Sequence, residues 1–66
     1  MDYEIEFEIE DDGRWIADIP ALPGVMAYGA TRKEAESKVQ AIALRVIADE
    51  LERENTTTDH VQFATA

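Results

Sequence analysis

The chain contains no cysteine. That absence removes disulfide staples, cysteine-based zinc sites and thiol nucleophiles together. Basic residues are scarce, six against fifteen acidic ones, which leaves a formal net charge of −9. A surface of that sign repels phosphate backbones, so direct nucleic-acid binding is not expected and a basic protein partner is. No apolar run approaches the roughly 20 residues that span a bilayer. Met1-Asp2-Tyr3-Glu4 has neither the positive region nor the apolar stretch of a secretory signal, so a cytoplasmic location without membrane contact is expected. At 66 residues a lone core is marginal, and without disulfides or a metal the remaining remedy is self-association.

From Asp2 to Glu10 the sequence alternates without a break. Tyr3, Ile5, Phe7 and Ile9 fall on one side, and Glu4, Glu6, Glu8 and Glu10 on the other. Period two over this length predicts a strand with its apolar face on the core and its carboxylates in solvent. Asp11-Asp12-Gly13 supplies the positive φ of a tight turn. Arg14 to Ile19 then reads as the second strand of a hairpin, with Trp15, Ala17 and Ile19 in phase and Ile16 out of phase. Pro20-Ala21-Leu22-Pro23-Gly24 cannot continue a ladder and predicts a rigid, partly apolar loop. Val25 to Tyr28 predicts a brief third strand, ended by Gly29-Ala30.

Thr31 stands three residues before Glu34, the spacing of a capping box. The helix so launched should run from about Arg32 to Arg53, with Ala35, Val39, Ile42 and Val46 as its core stripe and Ala43 and Ile47 along one edge. Asn55 is the expected left-handed stop. The domain core then covers residues 2–54, a polar connector 55–59, and a weak terminal strand 60–65. The order β-β-β-α-β implies an α+β fold: a three-stranded antiparallel meander, one long helix on one sheet face, and the weak fourth strand.

Glu4, Glu6 and Glu8 invite a metal-nuclease reading, but residues two apart on a strand point in parallel, about 7 Å apart, whereas a metal needs converging ligands. A solvated strand face is expected instead, and docking of a basic partner on it is compatible with that reading. His60, the only histidine, has no nucleophile and orienting acid in recognisable spacing. No catalytic residue, metal site or cofactor is therefore expected. On the helix, Leu44, Ala48 and Leu51, flanked by Ile47 and Ala41, form a second apolar stripe opposite the first. This stripe is expected to support a two-fold dimer.

Five pieces of the chain in order resemble the HicB family of antitoxins and their short stand-alone relatives. These are the alternating strand with Tyr3, the acidic-glycine turn at Gly13, the aromatic-x-Ala strand of Gly13-Arg14-Trp15-Ile16-Ala17, the loop Ile19-Pro20-Ala21-Leu22-Pro23-Gly24, and the helix entry Gly29-Ala30-Thr31-Arg32-Lys33-Glu34-Ala35. The resemblance covers about residues 1–54. It implies a reduced ribonuclease-H-like fold without nuclease activity, and a role in masking a small basic ribonuclease toxin of the HicA type. Candidate docking residues on that reading are Glu4, Glu6, Glu8, Trp15, Leu22, Pro23 and Tyr28. Full-length members append a DNA-binding segment, and residues 55–66 do not resemble one. The alternatives are a remnant metal nuclease using the strand-1 acids, or a structural domain with an unrelated partner.

The turn reading has a direct consequence. Gly13→Val should destabilise the fold by about 1 kcal/mol or more, because a β-branched residue resists positive φ; an unchanged melting temperature would refute the turn.

Overall fold

A computed structural model describes residues 1–65. Its elements are β1 (Asp2–Ile9), β2 (Trp15–Asp18), β3 (Met26–Gly29), α1 (Arg32–Glu54) and β4 (Gln62–Thr65). The sheet order is β3-β2-β1-β4. The first three strands form the expected antiparallel meander. The fourth differs from a purely antiparallel sheet. It lies parallel to β1, with Asp2 opposite Gln62 and Tyr3 opposite Phe63. The physical reason is the helix: α1 carries the chain from one edge of the sheet to the other, and such a crossover returns the strand in the parallel sense.

The β1–β2 turn is built as its residues demand. The Gly13 N–H donates to the Glu10 carbonyl at 2.9 Å, the Glu10 N–H to the Arg14 carbonyl at 2.7 Å, and Gly13 has φ +89°. That is a type I turn closed by a left-handed glycine. Asp12 braces it, accepting from the Arg14 N–H at 3.0 Å and from the Arg14 Nε at 2.7 Å. The Arg14 backbone N–H above all, and then its guanidinium, hold the Asp12 carboxyl below its ordinary pKa.

The helix starts and stops as expected. The Glu34 N–H donates to Thr31 Oγ1 at 3.1 Å. The reciprocal bond runs one residue further back than in a standard capping box: Glu34 Oε1 accepts from the Ala30 N–H at 3.2 Å, and from Lys38 Nζ at 3.2 Å. At the other end Asn55 adopts φ 53°, and the Thr56 N–H returns to the Leu51 carbonyl at 3.0 Å, a Schellman closure.

Helix α1 packs across β3 and β2. Its buried stripe is Ala35, Val39, Ala43 and Ile47, closed against Ile5, Ala17, Ile19, Leu22, Val25 and Ala27. Ile42 and Val46, expected at the centre of that stripe, lie half-buried on its flank. A strict four-residue step drifts around the helix, so the line of contact crosses the sheet obliquely, inclined roughly 26° to the helix axis, and alanines at two of the four positions bring the helix close to the sheet. Closest of all is Gly29, where a Cβ would stand 2.5 Å from the Ala35 backbone nitrogen. Beyond the helix the apolar face of β1 is only partly covered. The Arg32 guanidinium lies 4.2 Å over the Phe7 ring, Tyr3 packs on Phe63 at 6.1 Å between ring centroids, and Ile9 stays 61% exposed.

Two expected outcomes follow from the helix start. Gly29→Ala should destabilise by about 1–3 kcal/mol, because its methyl meets backbone rather than a yielding side chain; a melting temperature within error of wild type would show that the strand and helix can separate freely. The second concerns pH. The Ala30 N–H first, and then Lys38, hold the Glu34 carboxyl below its ordinary value of 4.5. A depressed folded-state pKa means stability that is present above 4.5 and lost as pH falls through the folded value. Acidifying from about pH 7 to about pH 3 should therefore narrow the gap between wild type and Glu34→Gln in thermal melts. A constant gap would place no such bond at the cap.

Candidate functional site

The helix covers one face of the sheet, so the other is open. Period two sends Glu4, Glu6 and Glu8 of β1 to that face, and all three are exposed. The register adds residues from the neighbouring strands. Glu8 stands opposite Ile16, which stands opposite Tyr28; Glu6 stands opposite Asp18, which stands opposite Met26. The face thus grades from acid on β1 to apolar on β3, where Met26 is 45% and Tyr28 40% exposed. The Arg14 guanidinium stacks 4.6 Å over the Tyr28 ring.

One pair is electrostatically unfavourable. Glu6 and Asp18 lie directly opposite each other across the β1–β2 ladder, and like charges so placed destabilise a sheet. No cation from elsewhere in the chain is ion-paired to either one among the described residues: Arg14 pairs with Asp12, Lys38 with Glu34 and Arg53 with Asp49. The arrangement presents a surface that gains when positive charge is laid on it.

Other candidates fall elsewhere. Trp15 points to the helix side and packs half-buried against the core. Pro23 is exposed in the loop, which encloses a shallow depression of about 200 Å³ with Asp18 and Met26. Leu22 is a correction: it is buried, closing the loop onto the core between the Ile19 and Val25 turns, and offers nothing to a partner. Ile47 is another, because it belongs to the helix stripe that seals the core and is 2% exposed. Leu51 packs half-buried on that core, leaving Leu44 and Ala48 as the exposed part of the second stripe.

Among the described residues no three His, Cys, Asp or Glu side chains gather to hold a metal ion, and no polar or charged residue is buried. His60 sits at the β1–β4 junction, its Nδ1 3.0 Å from Asp59 Oδ1 and its Nε2 3.7 Å from Asp2 Oδ1. Among the described residues no helix is long and apolar enough to cross a membrane. Ile16, Asp18 and Met26 were not singled out from sequence. The signal was present for Ile16, whose break in phase on β2 is what an outward residue looks like.

No family model and no solved structure matches the chain. A curated relative does. A UPF0150 protein of Thermoplasma acidophilum is 33% identical over 55 residues, a stretch covering 83% of this chain and 78% of the relative. A stretch of that length takes in β2, β3 and α1 rather than one short motif, and the chain belongs to the UPF0150 family.

Proposed function

We propose that this chain is a non-enzymatic, HicB-like interaction module that binds and masks a small basic ribonuclease of the HicA type through the open face of its sheet. The observation that carries the reading is the face itself. Glu4, Glu6 and Glu8 line one strand, and Asp18 opposes Glu6 at a cost to the isolated fold. A basic partner relieves that repulsion on binding, and opposite net charges steer the encounter. Ile16, Met26 and Tyr28 beside the acids supply the apolar anchor that charge alone does not. The resemblance of the motifs from Tyr3 to Ala35 to HicB antitoxins supports a HicA-type ribonuclease as that partner. The two carboxylates held below their ordinary range, Asp12 and Glu34, serve a turn and a helix cap, which are structural tasks.

The test is charge reversal. Glu4→Lys, Glu6→Lys and Glu8→Lys together should leave the circular dichroism spectrum intact and slow association with a HicA-type ribonuclease by about tenfold or more at low salt. Inhibition of RNA cleavage should fall with it. Full inhibition by the triple variant would refute the docking face. Magnesium-dependent cleavage by this chain alone, lost in Glu6→Gln, would replace the reading by a nuclease.

A further inference from the structure

The chain is 32% charged, yet the thirteen residues from Ile19 to Thr31 carry no charge at all. They form the loop before β3, β3 itself and the link to the helix. β3 is an edge of the sheet. Its backbone orientation follows from one bond. The Ile19 N–H donates to the Val25 carbonyl at 3.1 Å, so Val25 turns its carbonyl toward the β2 side, while its N–H closes the loop on the Leu22 carbonyl at 3.0 Å. Alternation then turns Met26 outward, Ala27 inward and Tyr28 outward. The N–H and C=O groups of Met26 and Tyr28 line the free edge, with no partner among the described residues. Sheets ordinarily blunt such an edge with lysine, proline or a bulge. Met26-Ala27-Tyr28-Gly29 pairs regularly with β2 and has none of these.

We infer that β3 pairs antiparallel with β3 of a second copy of this chain, about a two-fold axis at Ala27, so that two sheets become one. Charge selects the occupant. At −9 per chain, two copies approach most easily where the strand itself carries no charge, and β3 is such an edge; the Arg14 guanidinium over the Tyr28 ring is already paired with Asp12. The opposite edge, β4, lies directly against β1 and its acids, with Glu4 opposite Ala64. A basic partner gains from the acids and has no electrostatic reason to choose a neutral edge.

The register is equally constrained. Both members of a hydrogen-bonded pair must point outward, which pairs even-numbered residues with even-numbered residues. Centring on Tyr28 requires the Ala30 N–H, which the Glu34 carboxylate already holds at 3.2 Å. Centring on Met26 requires Gly24, which lies in a turn at φ +83°. Centring on Ala27 sets Met26 opposite Tyr28 of the second copy, twice, and every outward N–H and C=O of the two residues finds a partner. Each thioether then lies beside a phenol ring, a favourable contact. The axis stands perpendicular to the sheet, so both helices fall on one side and both acidic faces on the other.

Because the chain has no cysteine, introduced thiols report the pairing cleanly. Hydrogen-bonded antiparallel pairs hold their Cα atoms about 5.5 Å apart, within disulfide range. Met26→Cys and Tyr28→Cys, mixed and mildly oxidised, should give covalent dimers joining one variant to the other, in clear excess over either variant alone. Wild type should sediment at twice the 7.4 kDa of one chain. Met26→Lys, with an unchanged circular dichroism spectrum, should halve that mass, whereas Leu44→Lys should not. A wild-type chain that stays monomeric at millimolar concentration overturns the inference. So does a mass that falls with Leu44→Lys and not with Met26→Lys, or cross-linking no greater in the mixture than in its components.

Discussion

One helix has to cover a four-stranded sheet. A helix is about 10 Å across and strands repeat about every 4.8 Å, so a single helix shields about two strands. Here it shields β3 and β2. Everything unusual about the surface descends from that shortfall. The apolar side of β1 is left to partial cover, with a guanidinium laid on Phe7 and a neighbouring ring on Tyr3. Among the described residues no helix or strand covers the opposite face, and β3 and β4 stand at the sheet's edges.

The same constraint explains why small residues dominate where the helix does touch. Ala35 and Ala43 on the helix meet Ala17, Ala27 and Gly29 on the strands. Short side chains let the two layers approach closely, which raises packing density in a domain with little apolar area to bury. The cost is intolerance: Gly29 has no room for a methyl against the first turn of the helix, so strand and helix start are fixed together. The cap at Thr31 and Glu34, two residues on, belongs to the same junction.

Charge is distributed to suit the exposed surfaces. The acids concentrate on the solvent side of β1, and the longest neutral stretch coincides with the loop and edge strand farthest from them. A face that repels its own kind and an edge that does not are compatible in one molecule because a sheet separates them by two strand spacings. Opposing Glu6 to Asp18 weakens the isolated sheet. Such a pair is at home where a cation arrives from outside.

Local chemistry was legible in the amino-acid order alone. Alternation from Tyr3 to Ile9 gave β1 and its acidic side, Asp12-Gly13 the turn, Thr31 and Glu34 the helix start, and Asn55 its end, because each depends on residues within a few positions of one another. What depends on distant partners was not. The string Gln62-Phe63-Ala64-Thr65 carries no direction, and only the crossover of α1 makes β4 parallel to β1. Leu22 and Pro23 look alike as loop residues until the turn at Ile19 drives one into the core and leaves the other outside. Ile47 sits between two apolar stripes, and the angle at which the helix meets the sheet assigns it to the buried one. The meeting of Glu6 with Asp18, and of Ile16 with Tyr28, exists only across strands: periodicity sets which way a side chain points, and register alone sets what it faces.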